Sequence, residues 1–523
     1  MLLRHYHFPL ALFLTILIYI HEFMRLLFFV FFIVCNLLVW AQKETISGKV
    51  LDVETGFVLP FASISFNDFS GGSVSNAEGI YVMDIPVHRL EDSLYFSYMG
   101  YETLRASIKS LLIDGNVSLH SALIDLAEIP VYSQTLNTLE IIKLVRENFP
   151  KNHPKVNQIQ RIFYHSYNNT PFSEANRMEV LKTSFADLDQ GLVDEVLEVI
   201  PEDIKSYRDV IVDLYSYDAQ KKIISIEGIS LQESTTLSIQ KQIEKKLLSL
   251  TEDIEDSFED DRLYYKLSSG IISTKLEIDE SDSKDNDSLM SNNGDSTSYF
   301  LKAEYLRNDL DNFLVNTSDL NSDNLEFISK SKKYNYRKEL TLFNDKWVYK
   351  ISFEPKEHGI FQGVFYISTV NYAILQFDYE FAIGKITENI NLFGIGHKVN
   401  YKKVQVIFEK MDTAYFVKYV NAEKKEYFSV DRNFFMKKKE KRFFIDKTLN
   451  KIKFSIDMQF ESKNSWELLV IDRQNLTKET FELIDEPEKI TIKKEVIYSA
   501  DMWDHGSVIV PNRELINFRR INE

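Results

Sequence analysis

The sequence predicts a mainly β protein with some α: an N-terminal seven-stranded β-sandwich, then a helix, then a curved antiparallel β-meander domain with helices. Three observations carry this expectation. Seven of the 17 glycines fall between Gly48 and Gly115, where turn signals recur about every 8 to 12 residues. From Arg337 onward, apolar and polar residues alternate with period two between short turn sequences. Two other segments carry apolar residues at helical spacing. Composition agrees, with 44% apolar, 13% aromatic and 27% charged residues, enough for packed cores and against wholesale disorder or a collagen-like chain. The 523 residues correspond to about three to four domains. Acids (78) outnumber bases (61), for a net charge of −17; such a surface repels phosphate backbones and excludes a general nucleic-acid binder.

The chain opens with two apolar runs, Phe8 to Ile20 and Leu26 to Trp40, of 13 and 15 residues, each short of the roughly 18 to 20 that span a bilayer. Between them His21-Glu22-Phe23-Met24-Arg25 carries charges that are costly in lipid. The second run fits a secretory signal peptide: Met24-Arg25 as the positive start, a Leu/Phe/Val centre, and Val39-Trp40-Ala41 as the cleavage site before Gln42. Residues 1–41 are therefore expected to be a signal peptide, with Met24 as an alternative start and a retained anchor as the alternative reading. Cys35, the only cysteine, lies inside this run, and its neighbours Val34 and Asn36-Leu37-Leu38 do not suit lipidation. Beyond Ala41 the absence of cysteine excludes disulfides, thiolate catalysis and Cys-ligated zinc.

Residues 42–125 form the expected sandwich. Thr45 to Leu51 is a strand, and Asp52-Val53-Glu54-Thr55-Gly56 a turn in which Gly56 can take positive φ. Phe61 to Phe66 alternates as a strand with one buried face. Gly71-Gly72 turns again. Gly79 to Met83, Ser93 to Tyr98, Tyr101 to Ile108 and Val117 to Leu119 complete about seven strands. Ile46-Ser47-Gly48-Lys49-Val50, Thr55-Gly56, Leu59-Pro60-Phe61-Ala62, Ser75-Asn76-Ala77-Glu78-Gly79 and Ser97-Tyr98-Met99-Gly100-Tyr101 resemble the carboxypeptidase-regulatory-like domain over roughly residues 45–125. The resemblance implies a transthyretin-like sandwich of the kind found in exported and outer-membrane-associated proteins of Gram-negative bacteria. It implies no peptidase activity, since that sandwich is an accessory to the catalytic domain. His88-Arg89-Leu90-Glu91 has a zinc-peptidase spacing, but a catalytic site would need a third ligand and a general base from a much larger α/β domain, and these four residues are expected in a loop between two sandwich strands.

Residues 126–155 are expected to be a linker and helix. Thr138 is a suitable N-cap, Leu139, Ile142, Val145 and Phe149 share a face, and Pro150 and Pro154 end the helix. Residues 156–335 read as a mixed α/β region. Gln158 to Tyr167 and Met178 to Phe185 are strand-like, and Thr235 to Phe258 is helical, with Ile239, Ile243, Leu247, Leu250, Ile254 and Phe258 on one face. Residues 279–298 are almost pure Asp, Ser and Asn. They read as a solvated insertion, because a calcium loop would need a glycine at its sixth position and a closing Glu.

Residues 336–523 are expected to be an antiparallel sheet domain. Its strands are Glu339–Phe343, Trp347–Phe353, Gly363–Ser368, Tyr372–Phe381, Lys403–Phe408 and Ala414–Val420, with Asn344-Asp345 and Asn371 at tight turns. The pattern resembles the curved sheet that follows the same sandwich in related exported proteins, and in architecture the half-barrel of periplasmic lipoprotein carriers.

The search for chemistry assigns no catalytic residue, cofactor or metal ligand. Histidines 88, 120, 153, 165, 358, 397 and 505 show no i, i+4 pairing. Gly71-Gly72-Ser73-Val74-Ser75 lacks the final glycine of a nucleophile elbow, and Gly394-Ile395-Gly396-His397 lacks the third glycine of a dinucleotide loop. Trp503, Asp504 and His505 are the candidate pocket residues, set against a plain surface turn as the commoner outcome. The expectation is an exported, non-enzymatic binding or scaffold protein in the periplasm or associated with the outer membrane, whose partners are envelope proteins or an apolar ligand. A periplasmic carrier of lipid or another apolar ligand, and a hydrolase built around His505, are the alternatives.

Overall fold

The computed structural model describes residues 43–66, 72–122, 136–173, 175–185, 188–200, 202–232, 263–270, 272–276, 298–320, 322–499, 502, 503, 509 and 515. The leader, the 126–135 linker, the helix expected over 235–258 and the acidic run 279–297 lie outside them.

The fold is mainly β with a few helices, as the periodicities predict. The sandwich consists of β1 (Lys43–Asp52), β2 (Ser63–Phe66), β3 (Gly72–Val74), β4 (Ile80–Pro86), β5 (Ser93–Ser97), β6 (Leu104–Ser107), the one-turn helix α1 (Ile108–Leu111) and β7 (Val117–Leu119). One sheet runs β4-β1-β7 and the other β3-β2-β5-β6. Alternate residues Ile46, Val50, Ile64, Tyr81, Ile85, Leu94 and Phe96 fill the space between them. Pairing is antiparallel except for β1 with β7. That close approach needs two glycines, because a Cβ on Gly48 would lie 2.0 Å from the Gly115 carbonyl oxygen. Two strands are shorter than expected. Phe61 takes a φ of 61° and so stands outside β2, and Ser107 ends β6 by accepting a hydrogen bond from the Ser110 N–H to cap α1.

Helix α2 spans Thr138–Asn152 and corrects three readings. Its N-cap is Asn137, in a reciprocal capping box with Glu140. Its buried face is Ile141, Ile142 and Val145, while Leu139 faces solvent. Pro150 sits inside the last turn, which continues to Asn152 at the loss of one backbone hydrogen bond.

The remaining elements form one body. They are β8 (Gln158–Pro171), β9 (Arg177–Thr183), α3 (Gln190–Val199), β10 (Asp203–Tyr217), β11 (Gln220–Gln232), β12 (Leu263–Ser269), β13 (Ile272–Leu276), β14 (Ser298–Lys302), α4 (Ala303–Ser318) and α5 (Glu326–Ser329). They continue with β15 (Tyr334–Phe343), β16 (Lys346–Pro355), β17 (Phe361–Ser368), β18 (Ile374–Phe381), β19 (Thr387–Leu392), β20 (Ile395–Met411), β21 (Ala414–Glu440), β22 (Lys447–Asn475), α6 (Lys478–Leu483) and β23 (Lys489–Glu495). The meander is present, joined at Asn344-Asp345 by a turn with both φ positive, 49° and 57°, as a two-residue hairpin requires. Strands β20 and β21 run far past the expected bounds, to 17 and 27 residues, and β22, which no expectation named, adds 29.

A division at 335/336 does not separate two sheets. The order β14-β23-β11-β10-β8-β22-β21-β20-β18-β17-β16-β15 is the spine of a single 16-stranded sheet. The cause is the length of β22, whose edge pairs with β8 along its inner half and with β9 along its outer half. Side chains alternate between two faces of this sheet. Ile162, Val212, Phe377 and Leu468 share one core with Ile142 of α2, Leu306 and Leu310 of α4 and Phe327 of α5. On the other face Phe163, Ile211, Ile407, Tyr419 and Leu469 pack with Val74 and Phe61 of the sandwich.

Candidate functional site

Trp503, a predicted pocket residue, is a core side chain. It is 7% exposed and packs with Tyr167, Tyr207, Ile229 and Leu231 on the sandwich side of the sheet. The indole of Trp503 tilts against Tyr498 at 5.9 Å. Asp504 and His505 lie outside the described residues. Of the other histidines, His153 is stacked on Phe149 at 4.6 Å and accepts the Ile374 N–H; burial pushes its imidazole down to about 4 and keeps it neutral. His165 is bonded to Asp209 at 2.5 Å. Burial alone would lower its pKa, but the Asp209 and Glu467 charges reverse the sign and raise it. Tyr419 donates to Glu467 at 2.6 Å. This cross-strand polar group ties β8, β10, β21 and β22.

The open site lies elsewhere, in a cleft of about 650 Å³ between the sandwich and the sheet. The sandwich wall is Ser63, Ser65 and Phe66 of β2 with Tyr95 and Ser97 of β5. The opposite wall is the β15–β16 turn with Phe343 and Trp347, and the β20–β21 hairpin with Phe408, Glu409, Met411, Tyr415 and Lys418. The two walls are held in register by the Gly100 N–H, which donates to the Leu342 carbonyl at 2.9 Å. One wall is thus hydroxyl-rich, and the other sets the rings of Phe343, Trp347, Phe408 and Tyr415 among charged side chains such as Asp345, Lys346, Glu409 and Asp412.

Lys418 is the unusual member. Along β20 and β21, Phe408 pairs with Val417 and Ile407 with Tyr419, so Lys418 is the extra residue of a β-bulge. A bulge re-aims one side chain and leaves the flanking pattern intact. The ammonium therefore turns toward the sandwich, where it is 4% exposed and 3.7 Å from the Glu409 carboxylate. Gly72 of β3 lies against it: a Cβ there would stand 3.4 Å from Nζ, an ordinary contact, whereas the Ile64 carbonyl oxygen at 2.8 Å is what leaves no space for a side chain. Burial pushes the Lys418 pKa below its ordinary value, and the charges of Glu409 and Asp472 restore only part of it. Arg473 lies close behind, donating to Gln158 at 3.0 Å and to the Val417 carbonyl; burial lowers it to about 10. Lys418 lines the cleft and Arg473 stands behind it, with Glu409 as the nearest carboxylate and Asp472 further off; a desolvated cation of this kind interacts more strongly with an anionic group than it would in water. The residue pattern held no signal of this, because Ala414-Tyr415-Phe416-Val417 and Tyr419-Val420 are apolar on both sides of Lys418 and no alternation is there to slip.

Comparison of the chain with protein-family models and with curated proteins finds no match.

Proposed function

We propose that this chain is an exported, non-enzymatic binding protein of the cell envelope, and that its ligand occupies the cleft between sandwich and sheet. The cleft carries the reading. Its size falls in the range of small-molecule sites, and it lies where two packed units meet, a common position for them. Its chemistry selects an amphipathic ligand. Phe66, Tyr95, Trp347 and Phe408 would contact the apolar body, and the bulged Lys418 would pair with an acidic head in place of Glu409. Export is supported by the apolar run ending at Ala41, and an envelope location by the likeness of residues 45–125 to the carboxypeptidase-regulatory-like domain.

The apolar-ligand carrier reading is favoured by the same aromatic rings, but its ligand would not lie against the helix side of the sheet. There Leu306, Leu310 and Phe327 fill the core. The test is purification from the native envelope under non-denaturing conditions, followed by mass spectrometry of retained small molecules and lipids. A retained acidic amphiphile that is lost in Lys418→Met supports the proposal. A sample with no bound molecule, and no binding of an added fatty acid by titration calorimetry, overturns it. N-terminal sequencing of the same sample reads cleavage before Gln42.

A further inference from the structure

Among the described residues the longest hairpin, β21 with β22, ends in an apolar tip set in a basic collar. Beyond Val430, the last residue of β21 paired with β20, β21 and β22 continue for ten more residues of β21, from Asp431 to Glu440. At about 3.3 Å per residue, that is an arm of roughly 33 Å. At its end Phe443, Phe444 and Ile445 are 94%, 89% and 83% exposed. Three consecutive bare apolar side chains are not a feature of an ordinary surface turn. The loop is braced from behind: Asp446 accepts the Tyr264 hydroxyl of β12 at 2.6 Å and the Arg442 N–H at 3.2 Å.

The collar is equally costly for an isolated protein. Between Lys437 and Lys453 the sequence has lysines at 437, 438, 439, 441, 447, 451 and 453 and Arg442, against Glu440 and Asp446 alone, in a chain of net charge −17. Lys437 stands directly opposite Lys266 of β12 on one side and Lys451 of β22 on the other. Three ammonium groups thus share one row, an arrangement that works against strand pairing. Lys438 lies 5.8 Å over the Tyr265 ring and Lys453 5.5 Å over Phe435, and Phe434 stacks on Phe454 at 5.6 Å. Apolar residues at the tip, then lysines interleaved with aromatic rings, reproduce the depth profile of a bilayer surface.

We propose that this tip is a membrane-docking element, which places Phe443, Phe444 and Ile445 among the acyl chains of an anionic bilayer while the lysine row meets the headgroups. Charge complementarity selects the occupant. A negatively charged lipid surface relieves the repulsion among Lys266, Lys437 and Lys451, and it accepts the apolar tip, which a soluble polyanion does not. The cleft lies at the opposite end of β21, beside Tyr415 and Lys418, so docking leaves it open.

The experiment uses the full chain with Cys35→Ser and Phe443→Cys, the new thiol carrying an environment-sensitive fluorophore, so that the readout reports the tip and not the apolar N-terminal runs. Phosphatidylglycerol vesicles are expected to blue-shift the emission, and pure phosphatidylcholine vesicles to do so only at much higher lipid. Adding Lys437→Glu and Lys451→Glu should weaken the response to phosphatidylglycerol more than about tenfold, with the urea unfolding midpoint retained or raised, since the variant removes like-charge pairs. No shift with phosphatidylglycerol vesicles overturns the proposal, as does a shift that charge reversal leaves unchanged in a folded variant.

Discussion

Replacing Lys418 by Met tests the physics of the cleft most directly. The Lys418 ammonium is buried, and its nearest carboxylate, Glu409, is 3.7 Å away. With an effective dielectric constant near 20, that attraction is about 4 to 5 kcal/mol in gross terms. Removing the ammonium from water costs several kcal/mol, and part of the Glu409 hydration is lost as well. The lowered Lys418 pKa shows which side prevails: burial disfavours the charged form more than its partners favour it. Methionine has nearly the same length and no charge to desolvate, while the Glu409 side chain is 13% exposed and retains access to cleft water. Lys418→Met should therefore be neutral or stabilising at pH 7, by about 0 to 2 kcal/mol. The sign with pH follows from the same shift. A lysine whose folded pKa is depressed is a penalty below that pKa, and the penalty is relieved as pH rises from the folded value toward 10.5, the ordinary value. The advantage of the variant should thus shrink as pH is raised from 7 to 10. Urea unfolding of both proteins at the two pH values measures this, read from the midpoint at constant slope. A loss of more than about 3 kcal/mol at pH 7, or a variant advantage that grows with pH, refutes the reasoning.

Three further substitutions probe the frame around the site. Phe327 is fully buried, stacked on Phe353 at 4.2 Å and ringed by Phe361, Phe365, Phe377 and Tyr379; Phe327→Ala should cost about 3 to 5 kcal/mol by chemical denaturation. The Tyr334 hydroxyl donates to the buried Glu326 at 2.5 Å and accepts the Ile360 and Phe361 N–H groups. Tyr334→Phe strips a partner from all three, and a loss of about 1 to 3 kcal/mol is expected from equilibrium unfolding. Asp378 is pushed up to about 6 by burial, which its bonds to Gln376 and Gln405 only partly offset. A raised carboxyl pKa means that the folded state holds the proton more tightly, so this group's contribution falls as pH rises from about 4 to about 6. Asp378→Asn should flatten that window and gain about 1 to 2 kcal/mol at pH 7, measured as the difference between pH 5 and pH 7 melts.

The local elements were legible because their causes are local. The alternation in β1, β4 and β16 and the turns at Gly56 and Asn344-Asp345 follow from side-chain period and backbone freedom within a few residues. Helix α4 was missed because Tyr305, Phe313 and Leu314 around its buried Leu306 and Leu310 blur the single-face pattern. Helix α3 is short, ten residues, with Asp189 accepting the Leu192 N–H as its cap.

What residue order by itself determined is the β class, the sandwich, the presence of a helix after it and the meander, all of them consequences of contacts between near neighbours. The single sheet was decided by tertiary structure. Trp466 of β22 pairs with Ser166 of β8, 300 positions away in the chain, and no local pattern records a partner that distant. The same holds for the side chains that matter most. Trp503 became core and Lys418 became a buried cation only when a second face closed over them, because burial belongs to the assembled layers and not to the strand that carries the residue.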